Sequence, residues 1–91
     1  MSSDELFKMV DEQIRRYINN INWLAVIQLS GDQQLIRQCK FLGTMKNIII
    51  RCIQVGNYRR ACRYLLVFKR ILDNLENSTQ SVQDQITEKL F

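Results

Sequence analysis

The sequence predicts an all-α fold, a small bundle of three long helices plus a short C-terminal helix. Three observations carry this. Proline is absent and glycine occurs only three times in 91 residues. The hydrophobic fraction is 46%, too high for a disordered chain. Apolar residues recur at intervals of three and four rather than two, which is the period of a helix buried on one side. The length fits one domain, residues 1–91, with a modest core.

The first helix is expected from Ser3 to Leu29. Ser2 or Ser3 can cap it, and Asp4 and Glu5 complement the dipole at its start. Val10, Ile14, Tyr17, Ile21 and Leu24 step by 4, 3, 4 and 3, an unbroken seam. Phe7, Ile18 and Ile27 widen it into a stripe. Ser30-Gly31-Asp32 breaks the period: Gly31 suits a left-handed helix end and Asp32 the next cap. The second helix is expected from Gln33 to Val55, with Leu35, Cys39, Leu42, Ile49, Cys52 and Ile53 inward. Gly43 at its middle costs about 1 kcal/mol against Ala and is a place for close helix approach or a kink. After Gly56-Asn57 a third helix runs from Tyr58 to Leu75, on Ala61, Tyr64, Leu65, Phe68, Ile71, Leu72 and Leu75. Asn77-Ser78-Thr79 is expected to close it. A short fourth segment, Thr79 to Leu90, places Val82, Ile86 and Leu90 on one side.

Several functions are disfavoured. Histidine, the commonest general base and metal ligand, is absent. Cys39, Cys52 and Cys62 have no Cys-x-x-Cys spacing and fall on or beside apolar stripes, so they read as buried thiols rather than zinc ligands. The pairs Asp4-Glu5 and Asp11-Glu12 sit near a helix start, where dipole compensation explains them. No phosphate-cradling glycine loop occurs. The expectation is a protein that is not an enzyme and uses no cofactor or metal. The apolar run Tyr64 to Phe68 is far short of the ~20 residues that span a bilayer. The acidic start does not resemble a signal peptide, and an odd number of cysteines fits a reducing compartment. A cytoplasmic or nuclear location away from membranes is therefore expected. In that setting the sequon Asn77-Ser78-Thr79 reads as a turn.

The functional signal is the distribution of charge. Residues 1–12 hold four acids and one base, and so do residues 73–91. Between them lie eleven bases and a single acid, Asp32. Every bundle has solvated polar faces, but most mix both signs so that neighbours attract. Here Arg37, Lys40, Thr44, Asn47 and Arg51 step by 3, 4, 3 and 4 along one face of the second helix. Arg59, Arg63 and Arg70 share a face of the third, with Arg60 beside them and Leu66 interrupting the row. Like charges at such spacing oppose folding by a few tenths of a kcal/mol per pair, and an anionic partner relieves that. Arg37, Lys40, Arg51, Arg59, Arg60, Arg63 and Arg70 are therefore the candidate nucleic-acid contacts. Polar residues between the bases suit phosphates and 2′-hydroxyls, so RNA is favoured, duplex RNA above all. The few aromatics in this region read as structural, which argues against base stacking. In design the chain looks like the small helical dimers with which some viruses mask double-stranded RNA. An acidic protein is the other partner class.

A homodimer is expected as well, because a bundle this small has little core to spare. Val10, Ile14, Tyr17, Ile21 and Leu24 are its candidate seam, with Trp23, off that seam, as an exposed contact.

Gly56-Asn57-Tyr58-Arg59-Arg60-Ala61 resembles the turn of a tetratricopeptide-repeat hairpin, in which Gly, Tyr and Ala at this spacing pack two antiparallel helices. Microtubule-interacting-and-trafficking domains use a similar turn. The resemblance covers Ile48 to Leu72, lacks the family's Trp and Leu-Gly pattern, and has no second repeat. It implies an antiparallel hairpin between the second and third helices, and an adaptor that binds other proteins as the alternative function.

Overall fold

A computed structural model describes the backbone of residues 3–19 and 23–90, and their side chains except at 23–25, 79–83, 85–87 and 89–90. Four helices make up the described fold: α1 (Ser3–Asn19), α2 (Trp23–Ser30), α3 (Gln33–Gln54) and α4 (Tyr58–Leu90). The described residues contain no strand. The all-α class holds, and so does the hairpin, since α3 and α4 form the principal packed pair.

The first expected helix corresponds to α1 and α2, and residues 20–22 between them lie outside the described residues. One boundary differs from the expectation. The break expected at Asn77-Ser78-Thr79 does not occur, and α4 runs through it to Leu90. Those residues are only modestly unfavourable in a helix, and neither glycine nor proline is present to end it. The longest helix is thus α4, with 33 residues, rather than the N-terminal one. At 1.5 Å per residue it measures roughly 50 Å, the long dimension of the 50 × 20 × 16 Å molecule.

The expected turns form as their residues dictate. Gly31 takes φ 70° and Gly56 φ 77°, both left-handed. Asp32 caps α3: its Oδ1 accepts from the N–H groups of Gln34 at 3.0 Å and Leu35 at 3.3 Å. At the far end of α3 the Gly56 N–H donates to the Ile53 carbonyl and the Asn57 N–H to that of Cys52. This paired closure satisfies carbonyls that a helix end leaves open. The Asn57 side chain then accepts from the Arg60 N–H at 3.3 Å and starts α4.

One core joins all four helices. Leu42, Met45 and Ile49 of α3 meet Leu65, Phe68 and Leu72 of α4, with Leu6 and Val10 of α1 and Ile27 of α2 beside them. Met45 is the core residue that the sequence reading of α3 passed over. Tyr17 sets its ring edge-on to Phe68, with centroids 5.9 Å apart. A Cβ placed on Gly43 would meet the Tyr17 hydroxyl at 3.4 Å. The mid-helix glycine therefore faces the end of the Tyr17 side chain at ordinary contact distance. Burial raises the pKa of the Tyr17 hydroxyl.

Candidate nucleic-acid interface

All seven candidate bases are exposed: Arg37, Lys40 and Arg51 on α3, and Arg59, Arg60, Arg63 and Arg70 on α4. On α3 the exposed row also includes Thr44 and Asn47, opposite the buried Leu42 and Ile49. The Thr44 hydroxyl donates to the Lys40 carbonyl at 3.4 Å. Fourteen residues separate Arg37 from Arg51, roughly 21 Å of helix.

Four of the acids are engaged away from these rows. Asp32 is held by its capping bonds. Asp11 pairs with Arg15 at 3.0 Å within α1. Asp73 and Glu76 both hold Arg16, which is half-buried between α1 and α4. Glu76 takes two bonds from that guanidinium, at 2.8 and 2.6 Å. These bonds are the main reason that the Arg16 pKa is raised, with Asp73 adding to them and burial opposing. Among the described residues, none of the seven candidate bases forms an ion pair. Arg51 has a structural use of its own, since it lies in the last turn of α3 and complements the helix dipole there.

The seven do not share one surface. Arg51 and Arg60 line a groove of about 490 Å³ between α3 and α4, with Thr44, Asn47, Ile48, Cys52, Val55, Asn57 and Tyr64. Arg59 and Arg63 line a different groove of about 350 Å³, against Ser3 and Leu6 of α1. The helical phase of α4 explains the division. Arg59 and Arg63 are four residues apart and share a face, whereas Arg60 is turned by about 100° onto the side that meets α3. Lys46 belongs to neither groove; its ammonium stands 6.0 Å from the Tyr17 ring centroid.

The candidate dimer residues divide differently. Val10 is buried in the chain's own core, and Ile14 and Tyr17 pack against that core half-buried. These three seam residues of α1 thus pack within the same chain, and Val10 is buried there. Ile21 lies outside the described residues, as do the side chains of Trp23 and Leu24. The side chains of Val82, Ile86 and Leu90 lie outside them too.

Sequence reasoning missed an exposed apolar row on α3. Phe41, Ile48 and Val55 are 49%, 38% and 60% exposed. Their spacing of seven is a seam in its own right, set off from the core row and hence visible in principle. Cys39 and Cys52 are buried and Cys62 is half-buried, all three as free thiols. Burial pushes the Cys39 thiol pKa up, away from reactivity. Among the described residues no group of three or more His, Cys, Asp or Glu is placed to hold a metal ion. Nor is any described helix long and apolar enough to cross a membrane. No family model, curated protein or solved structure matches the chain.

Proposed function

We propose that the chain is a non-enzymatic helical module that binds nucleic-acid backbone, RNA in preference to DNA, along the exposed polar row of α3, whose C-terminal part borders the groove with α4. The observation that supports this most is the exposed row Arg37, Lys40, Thr44, Asn47 and Arg51, with no acid paired to its cations among the described residues. A row of this length matches phosphates along a duplex, and its hydroxyl and amide groups suit the 2′-hydroxyls that distinguish RNA. Arg59, Arg63 and Arg70 extend the positive potential on α4 and act as a second, separate set of contacts. A homodimer belongs to the same proposal, because a second copy would double the phosphate contacts. Its interface would be built from exposed side chains other than Val10.

The test is fluorescence anisotropy with duplex RNA, duplex DNA and single-stranded RNA over a range of salt, on the unmodified chain and two double variants. Duplex RNA should bind best, with an affinity that falls steeply as salt rises. The Arg37→Gln/Lys40→Gln variant should flatten the logarithmic salt dependence by up to about 2, since each lost phosphate contact removes close to one released counterion. The Arg59→Gln/Arg63→Gln variant should weaken binding about equally for unrelated sequences, because phosphates carry no sequence information. An unmodified chain with no salt-sensitive affinity for any of the three ligands would refute the proposal. Sedimentation at micromolar concentration decides the dimer.

A further inference from the structure

We propose that the groove between α3 and α4 is a docking site for an acidic amphipathic helix of a partner protein. Its apolar lining is Ile48 and Cys52 of α3, Val55 at the cap that follows α3, and Tyr64 of α4. Among the described residues its charged lining is Arg51 and Arg60, one from each helix. Thr44, Asn47 and Asn57 complete the described lining, which holds no acid.

The apolar surface extends beyond the groove. Phe41 continues the α3 row seven residues before Ile48, and Val67 lies seven residues after Arg60 on α4. Both are exposed, at 49% and 41%. From Phe41 to Val55 the row covers roughly 21 Å, about four helical turns. On its other side the hairpin is closed by its own chain, where Tyr17 of α1 packs against Phe68 and Gly43. One side of the helix pair is thus filled and the other is left open with apolar side chains in it. A channel between two packed helices accepts the ridge of a third. A helix with anchors at three- and four-residue spacing matches this channel.

Charge selects the occupant. Acidic side chains flanking the partner's apolar row would meet Arg51 and Arg60, whereas basic ones would be repelled. RNA backbone gains nothing from the apolar lining. A second copy of this chain would bring its own Arg51 and Arg60 to the contact.

The experiment uses the full chain and two synthetic 18-residue helical peptides. Both carry leucines at three- and four-residue spacing; one has glutamates on either side of that row and the other has lysines. By anisotropy the glutamate peptide should bind about 10-fold or more tighter than the lysine peptide. Arg51→Glu with Arg60→Glu should invert that preference. Ile48→Ser with Val55→Ser should weaken the glutamate peptide about 10-fold while leaving duplex-RNA affinity unchanged. Those two residues are exposed, so the melting temperature should hold and serves as the control for folding. Equal binding of the two peptides, or a preference that survives the charge reversal, overturns the proposal. A fall in duplex-RNA affinity in the Ile48/Val55 variant assigns the groove to RNA and overturns it too. A dimer that disappears in that same variant gives the groove to a second copy, with the same consequence. Loss of RNA binding in the Arg37/Lys40 variant alone bears only on the function proposed above.

Discussion

Arg16 of α1 and the bases of α3 carry the same charge into opposite surroundings. Arg16 is half-buried and finds two carboxylates, Asp73 and Glu76, that lie 57 and 60 residues away in sequence. Arg37 and Lys40 are exposed and have no carboxylate partner among the described residues. The first arrangement makes charge a part of the fold, because the counter-ions arrive only when α1 packs on α4. The second leaves charge available, and its natural counter-ions are those of a ligand. The number of bases in a stretch of sequence does not distinguish the two cases; the position of the acids does.

The comparison breaks most visibly if the paired end is held by charge alone. Phe68 is fully buried and meets Tyr17 edge-on, so the α1 side of the hairpin rests on packing first. Phe68→Ala should cost about 3–5 kcal/mol, a large part of the total stability of any small domain. Urea unfolding followed by circular dichroism measures it, and a loss below about 1 kcal/mol would show that the ring is not part of a close-packed core. Arg16→Gln comes next. The guanidinium is bound by two carboxylates but retains 27% of its side-chain exposure, so water moderates the gain. The expected loss is roughly 1 kcal/mol, with duplex-RNA affinity unchanged. A variant that keeps its stability but loses RNA would move Arg16 into the binding surface and erase the contrast.

Much of the fold was legible because it is written in local residue chemistry. Gly31-Asp32 and Gly56-Asn57 each combine a left-handed position with a capping side chain, and both turns form at those residues. The core rows of α3 and α4 follow from helical spacing alone. The limit of α4 was harder, because Asn, Ser and Thr weaken a helix without forbidding it. Asn77 and Ser78 lie within α4, and tertiary packing rather than propensity decides such cases. The exposure of the seven bases was legible residue by residue, since each lies off the apolar rows. The division of four of them between two grooves was not, because it depends on which side of α4 meets α3 and which meets α1. Neighbouring positions such as Arg59 and Arg60 thereby reach different surfaces. The Arg16 pairing was equally hidden, since no local pattern brings residue 16 to residue 76. The seam of α1 was read as surplus apolar surface for a second copy, whereas the fold buries Val10 within the chain.

The smallest expected effect sharpens the comparison furthest. Arg37 and Lys40 stand three residues apart on α3, close enough to repel across one helical turn. Among the described residues neither has a carboxylate to lose, and both side chains are exposed, so neither ties two described parts of the molecule together. Replacing both by Gln removes one repulsion and leaves helix propensity nearly unchanged. The stability of this double variant should therefore stay level or rise by a few tenths of a kcal/mol, about 0.2–0.5. Arg16→Gln, a single charge removed, should move in the opposite direction. Added salt should narrow the difference, since it screens the exposed repulsion and acts less on the partly buried pair. Matched urea titrations of the three proteins at low and high salt measure this. A loss of more than about 1 kcal/mol in the Arg37/Lys40 variant would place those bases among the residues that hold the fold, and the open side of α3 would no longer stand apart from the paired end.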